Sequence, residues 1–372
     1  MKFPLAIFSL LVTVSSALAC DLCPCEFEPL SLDGGLRWHA GIREQYTDMS
    51  RLQNSGHGIA NPAGQYLHSS ITQLIAGYDF TPKFGATLNI PYIHRTFRRA
   101  AEGAIESGTE SGFGDVSLLG QWSAIQFERG EFKFTARASV GVSFPTGDTS
   151  RLREEAEHSD EEEVHVIPAQ PEISKTVTRK VPTGEFRFLN NSIIPIVRQV
   201  TEKVILRPYQ PEQIIHHEHE EEPASGVHGH DLSLGSGSID GIFGADFRSE
   251  FRKVFVDASI QYRLRGNGRH SYDFADDLMW HAGAGATVLD HKVWTAALAV
   301  RFSGETKGED RFGGSRLGDT AVNTVFVGPR LAVTWRNRLN ADIGIDFPIR
   351  RENSGIQSVP EYRIRSGVNW QF

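Results

Sequence analysis

The sequence has few cysteines, no long apolar run and no excess of basic charge. All three cysteines of the 372-residue chain lie in the segment CDLCPC at 20–25. No run of eighteen apolar residues follows it, and the mean hydropathy of -0.29 agrees that no helix spans a membrane. The formal net charge of -8 argues against nucleic-acid binding. Phosphate-binding loops, dinucleotide fingerprints and zinc-protease helices are also missing, so the motifs indicate no enzyme.

The first nineteen residues have the pattern of a secretory signal peptide. Lys2 supplies a positive charge, residues 6–14 form an apolar stretch too short for a bilayer, and Ala17-Leu18-Ala19 is a cleavage site of the A-x-A type. We therefore expect residues 1–19 to be removed and the mature chain to begin at Cys20, outside the cytoplasm. A membrane protein with no apolar helix must cross as a closed sheet, because unpaired backbone groups are costly in hydrocarbon.

Apolar and polar residues alternate along most of the chain. From Phe132 to Phe144, seven apolar positions alternate strictly with polar or small ones, which predicts a strand. The last strand alternates in the same way and ends on Phe372, as the final strands of bacterial outer-membrane barrels usually do. The same rhythm predicts about twelve strands, at 36–46, 67–80, 84–97, 115–127, 132–144, 237–248, 253–264, 278–290, 293–302, 322–335, 339–349 and 362–372.

The connections between these strands alternate between short turns and long loops, which is the outer-membrane pattern. We predict an all-β fold: a transmembrane antiparallel β-barrel of about twelve strands at 34–372 in the bacterial outer membrane. Residues 20–33 form a periplasmic segment, and 149–230 form a long, acidic, His-rich external insertion. Within the insertion, 175–181 and 196–208 alternate like the strands of a hairpin, which predicts a partly ordered flap. A soluble barrel or sandwich would show the same alternation with the opposite face buried.

Several segments resemble a known family of outer-membrane barrels, the transporters of the phenol meta-degradation pathway type. The resemblance rests on SGFGDVSLLGQW (111–122), VGVSFPTGD (140–148), LGSGSIDGIFGADF (234–247), LNADIGIDFPI (339–349) and the terminal NWQF. It covers most strands from Phe84 to the end and implies a barrel with a transporter-like role. It supplies no catalytic residues, and the long insertion departs from the family pattern.

The alternation places charged side chains of both signs on the inward face of the barrel. Opposed Arg and Asp residues predict a restricted or plugged lumen, because a barrel of this strand number is narrow. They line a path for a small polar or amphipathic solute or form a structural salt-bridge network. The expected pore-lining residues are Arg37, Arg43, Asp115, Arg137, Asp240, Asp246, Asp257, Arg263, Arg301, Arg330, Asp342, Asp346, Arg363 and Arg365.

Two clusters carry metal-ligating side chains. Histidines interleaved with carboxylates suit Zn, Cu or Ni, although a solvated acidic loop has the same composition. The cysteines form a thiolate metal site, a lipid anchor at Cys20, or a disulfide with a spare thiol. No cofactor is assigned with certainty, and a divalent transition metal is the candidate. Its expected ligands are His216, His217, His219, His228, His230, Cys20, Cys23 and Cys25.

The sequence favours an outer-membrane channel or transporter for passive passage of a small solute, with outer-membrane lipid and the solute as partners. The first alternative is a metal-binding surface protein or one associated with metal efflux. The second is an outer-membrane lipid hydrolase using His68 and Ser70, which lie two apart on one face of a predicted strand. The oligomeric state is open.

Overall fold

The structure is a computed structural model of the full chain. The expected signal peptide, the segment 20–33 with its three cysteines, and the histidines at 216–219 lie outside the residues that it describes. Those described residues are 37–101, 104–155, 165–167, 171–189, 192–207, 213–215 and 224–372.

Twelve antiparallel strands form a closed ring, which confirms the predicted barrel. Each strand pairs with its neighbours in the sequence. The ring closes where the first and last strands pair, from His39 opposite Gln371 to Asp48 opposite Tyr362. The strands are β1 (Arg37–Met49), β2 (Tyr66–Asp79), β3 (Phe84–Ala101), β4 (Val116–Arg129), β5 (Phe132–Phe144), β6 (Asp240–Phe251), β7 (Val254–Leu264), β8 (Asp277–Asp290), β9 (Trp294–Lys307), β10 (Val322–Trp335), β11 (Leu339–Asn353) and β12 (Tyr362–Gln371).

The two faces of the wall differ in polarity. On β5, the Val140 side chain is 59% exposed, whereas Arg137, on the other face of the same strand, is 9% exposed. Large apolar side chains are exposed all around the outside of the ring, and polar ones are buried inside it. Such an apolar exterior is stable only against lipid, so the protein is a barrel of the bacterial outer membrane.

Aromatic side chains form a belt at the end of the barrel that carries the short turns, which we call the short-turn end. Such belts mark the lipid–water interface of outer-membrane barrels. Neighbouring rings pack as Trp38 with Tyr78 (centroids 4.7 Å apart), Phe84 with Trp122 (6.3 Å), Trp294 with Trp335 (6.1 Å) and Trp335 with Trp370 (6.0 Å).

One stretch that the sequence predicts to be a loop is a strand. Residues Ala104–Phe113 pair with the distal half of β3, from Ala101 to Tyr92, and extend the wall beyond the ring. Sequence reasoning missed this strand because the residues between Ile105 and Phe113 are all small or polar, so AIESGTESGF shows no sustained apolar alternation. The prediction that a loop connects the strands at 84–97 and 115–127 is therefore wrong.

The opposite end of the barrel, the long-loop end, contains a folded segment inside the wall. We call residues 224–239 the plug segment. Val227 and Leu232 pack against the inward-facing Leu67 and Phe97. A single helical turn, Gly229–Leu232, lies within the segment, and a 3-10 turn, Ser150–Arg153, lies on the other side of the insertion. No helix among the described residues has the length and apolar character needed to cross a bilayer.

A second compact unit covers Asp160–Glu221. Its main element is an antiparallel hairpin of Ile173–Leu189 and Ser192–Arg207, as the alternation in the insertion predicts. His165–Ile167 and Gln213–Ile215 form a second short antiparallel pair in this unit.

Candidate functional site

The barrel interior carries most of the ionisable groups that the sequence places there. Arg137, Asp240, Arg263, Arg301, Asp346 and Arg363 are each at most 9% exposed, and the alternation of each strand turns them inward. Buried charges need partners, since an unpaired charge in a low-dielectric interior is very costly. Arg37 begins β1, and its side chain lies outside the described part of the structure.

Arg363 on β12 is the centre of the most extensive charge cluster. Its guanidinium contacts Glu305 and donates to Asp346 at 3.4 Å and to the Ser303 hydroxyl at 3.0 Å. The same guanidinium lies 4.1 Å from the centroid of the Phe326 ring. Arg365 adds a contact of 2.7 Å to Asp346. These contacts cross-link β9, β11 and β12 from inside the barrel.

A second cluster surrounds Arg265, directly after β7. Its guanidinium lies 2.9 Å from Asp240 Oδ2 on β6 and 2.8 Å from Asp277 Oδ2 on β8. Asp240 also accepts a hydrogen bond of 2.5 Å from Ser238. The sequence predicts that Asp240 and Arg263 face inward. It does not predict this for Arg265, which lies just beyond the alternating strand.

The remaining expected residues form smaller contacts along the wall. Asp342 lies 3.2 Å from Arg330, Asp257 lies 3.4 Å from His281, and Asp246 accepts a hydrogen bond of 2.7 Å from Ser259. Arg137 lies opposite Asp246 in the register of β5 and β6. Arg43 is half-buried beside Gly367. The interior is therefore a mixed lining of both signs.

Asp115 has a different role from the other aspartates. It lies just before β4, and its carboxylate accepts hydrogen bonds from the Gly147 amide at 3.0 Å and from the Ser236 amide and hydroxyl at 2.8 and 2.7 Å. These bonds tie the chain on both sides of the insertion to the wall.

Sequence reasoning also missed Arg95 and Gln65, which hold the plug segment, and Arg99, which holds the end of the 3-10 turn. Arg95 donates from Nη1 to the Ser233 carbonyl oxygen at 2.6 Å. The Gln65 amide donates to the Ala224 carbonyl at 3.0 Å and accepts from the Gly226 amide at 2.9 Å. Arg99 bonds to Glu154 at 2.8 Å. The signal available in the sequence was the group of apolar residues at 227, 232 and 234 within a polar loop.

A small cavity lies between the plug segment and the wall. Its volume is about 20 Å³, which is room for about one water molecule. Its lining combines charged and apolar side chains: Asp115, Arg263, Arg265, Ile93, Leu234 and Phe274.

Of the expected metal ligands, His228 and His230 lie in the described residues and face a common carboxylate. His228 Nδ1 lies 3.6 Å from Asp231 Oδ2, and His230 Nε2 lies 3.4 Å from Asp231 Oδ1. The His230 side chain is buried, and its Nδ1 lies 2.9 Å from Glu155 Oε1. His216, His217, His219, Cys20, Cys23 and Cys25 all fall outside the described residues.

The electrostatics at His230 favour positive charge. Burial by itself would lower the pKa of His230, but the charges of Asp231 and Glu155 outweigh burial and raise it to about 9. Burial likewise opposes ionisation of Glu155, yet the facing His230 lowers the pKa of this carboxyl to about 2. The site therefore attracts cations.

The pair considered for lipid hydrolysis is not arranged as a nucleophile and base. His68 and Ser70 share the outward face of β2, but the Ser70 hydroxyl donates to Glu44 at 2.5 Å, and His68 lies 3.3 Å from Asp48. In the described part of the chain, His68 and Ser70 share no hydrogen bond, which serine activation requires.

No protein-family model matches this chain, and no curated protein matches it in sequence. Among solved structures, the chain is similar to the COG4313 outer membrane channel from Pseudomonas putida F1, with 13% identity, a TM-score of 0.50, and coverage of 93% of this chain and 97% of that one. It is also similar to the translocator domain of autotransporter NalP from Neisseria meningitidis (10% identity, TM-score 0.37, coverage 91% and 88%) and to the NanC porin (8%, 0.37, 89% and 98%). At 13% identity, the first of these similarities shows a shared fold, that of an outer-membrane β-barrel.

Proposed function

We propose that the protein is an outer-membrane channel for passive passage of a small solute, with its path narrowed by the plug segment. The observation that carries this proposal is a closed wall with a polar, charge-paired interior. A barrel with only a structural role can fill its lumen with apolar side chains, whereas a hydrated path needs groups that replace the hydrogen bonds of water.

The plug segment supports a selective path over a wide general pore. Val227, Leu232 and Leu234 pack against the wall at the long-loop end, and Arg95 and Asp115 hold the backbone beside them. A solute must pass this constriction or displace it. General diffusion of large hydrophilic solutes is therefore not expected.

The lining favours a small amphipathic solute. Arg263, Arg265 and Asp115 surround one side of the cavity, while Leu234 and Phe274 supply apolar surface. Because both signs of charge are present, the interior does not select strongly for cations or anions. A neutral or zwitterionic solute with hydrogen-bonding groups fits this lining best.

The test is single-channel recording in planar bilayers with the full-length protein. We expect small conductance steps from the wild type and steps at least several-fold larger when Val227, Leu232 and Leu234 are replaced together by serine. The control is Ile239→Ser, because Ile239 is 63% exposed and lies in the same segment; it should leave the conductance unchanged. Electrical silence of both the wild type and the triple variant, together with impermeability of loaded vesicles to small solutes, would overturn the proposal.

A further inference from the structure

We infer that His228, His230 and Asp231 bind a divalent transition-metal ion, of which Zn²⁺ is the best fit. One ligand atom of each of these residues lies within 4.8 Å of those of the other two. Zinc bonds to nitrogen and oxygen of about 2.0–2.2 Å place the ligands of one ion roughly 3–4 Å apart. Small side-chain movements therefore bring the three groups to one ion.

The two imidazoles both face the Asp231 carboxylate. Their rings are stacked with centroids 5.4 Å apart and planes 6° from parallel. The ring nitrogens that face Asp231 are Nδ1 of His228 and Nε2 of His230. Two imidazole nitrogens beside one carboxylate are suited to share a metal ion.

The other nitrogen of each ring faces a different carboxylate. His230 Nδ1 lies 2.9 Å from Glu155 Oε1, and His228 Nε2 lies 3.6 Å from Asp319 Oδ2. Metal-binding histidines usually donate their second N–H to a carboxylate, which orients the ring and makes the ligating nitrogen more basic. Glu155 and Asp319 are placed to do this for His230 and His228.

Charge also favours a cation at this place. Three carboxylates, those of Glu155, Asp231 and Asp319, surround two imidazoles. The three carboxylates carry three negative charges, and a divalent ion that takes the place of the ring proton on His230 offsets two of them. Two nitrogen ligands with one carboxylate suit zinc and its neighbours better than calcium or magnesium, which prefer oxygen alone.

The site would join three separate segments at the long-loop end. Glu155 follows the 3-10 turn of the insertion, His228 and His230 belong to the plug segment, and Asp319 lies in the loop between β9 and β10. The inference does not depend on the channel proposal, since a plugged or silent barrel could hold the same ion.

The experiment measures Zn²⁺ affinity of the full-length protein by competition with a chromophoric chelator. The background carries Cys→Ser at 20, 23 and 25 and His→Gln at 216, 217 and 219, which removes the other candidate ligands. We expect one Zn²⁺ per chain with a micromolar or tighter Kd. His230→Gln and His228→Gln should each weaken binding at least 100-fold.

Two further variants separate a built site from general acidity. Glu155→Gln should keep the stoichiometry and weaken binding about 10–100-fold, because it removes only the orienting carboxylate. His57→Gln should change nothing, since His57 is exposed in another loop of the same end. The Co²⁺-loaded protein should show the strong visible absorption of a tetrahedral cobalt site. The His230→Gln variant should lack this absorption.

The inference is overturned if the background protein binds Zn²⁺ only at millimolar concentration. Equal affinity after His228→Gln and His230→Gln would overturn it as well. Each variant should still show heat-modifiable mobility, a different migration of unboiled and boiled protein in detergent gels, which shows that it forms the barrel.

Discussion

Arg95 on β3 and Ser233 in the plug segment are joined by a hydrogen bond of 2.6 Å, with the guanidinium Nη1 as donor and the backbone carbonyl as acceptor. Arg95 is 1% exposed. A buried charged donor of this kind connects the wall directly to the segment that narrows the lumen.

Replacing Arg95 by alanine should loosen the plug segment. Hydrogen bonds to charged groups contribute about 1.5–3 kcal/mol, and loss of this one leaves the Ser233 carbonyl without the guanidinium. We expect faster proteolysis within 224–239 and larger conductance steps. Arg98→Ala is the matched control, because Arg98 lies three residues further along β3 and is exposed. Equal effects of the two variants would contradict the role given to Arg95.

Leu232→Ala should destabilise the plug segment but not the barrel. Leu232 is fully buried against Phe97 and Leu67, and removal of a buried leucine side chain costs about 2–5 kcal/mol. Hydrogen exchange of the amides in 224–239 should accelerate, while that of β1 to β12 stays slow. The exposed Ile239→Ala serves as control. Protection that is unchanged in Leu232→Ala would show that the segment is held by polar contacts alone.

Arg363→Met should lower the stability of the whole barrel. It leaves the carboxylates of Glu305 and Asp346 inside the wall without this guanidinium, and removal of one partner of a buried pair costs about 3–5 kcal/mol. Arg350→Met is the control, because its pair with Glu352 is exposed and such pairs contribute about 1 kcal/mol or less. Urea unfolding in lipid vesicles measures both. Similar midpoints for the two variants would contradict the importance of the buried cluster.

Tryptophan fluorescence tests the placement of the belt in the membrane. Five of the six tryptophans, all except Trp280, lie in or beside the belt at the short-turn end. Lipids brominated near the headgroup should therefore quench emission more than lipids brominated at the chain ends. Trp280→Phe should leave this difference intact. Stronger quenching from the chain ends would place the belt in the bilayer centre and contradict the assignment.

The barrel was predictable from the sequence because its wall obeys one simple rule. Apolar and polar residues alternate over Phe132–Phe144 and the other segments because one face of each strand contacts lipid and the other faces the barrel interior. Ala104–Phe113 has apolar side chains only near its two ends, so the rule gives too weak a signal to predict this strand. The strand bounds also extend further than predicted, with β3 reaching Ala101 and β9 reaching Lys307.

The interior contacts could be predicted only in part. For charged residues within alternating strands, such as Asp346 and Arg363, the position in the alternation alone predicts an inward side chain. Arg95 was not singled out, and its bond to Ser233 could not be foreseen, because that contact depends on how an irregular loop packs. The same holds for Glu155 and His230, which lie 75 residues apart in the chain.

The pairing of β1 with β12 has a consequence for how the protein is made. Ten residue pairs join β1, the first strand of the barrel, to β12, the last. Until the last strand arrives, β1 and β11 each present a row of unsatisfied amides and carbonyls, and each such group costs several kcal/mol in hydrocarbon. Strand-by-strand insertion is therefore unfavourable, and biogenesis must shield both margins of the growing sheet until translocation of the chain is complete and the cylinder is sealed.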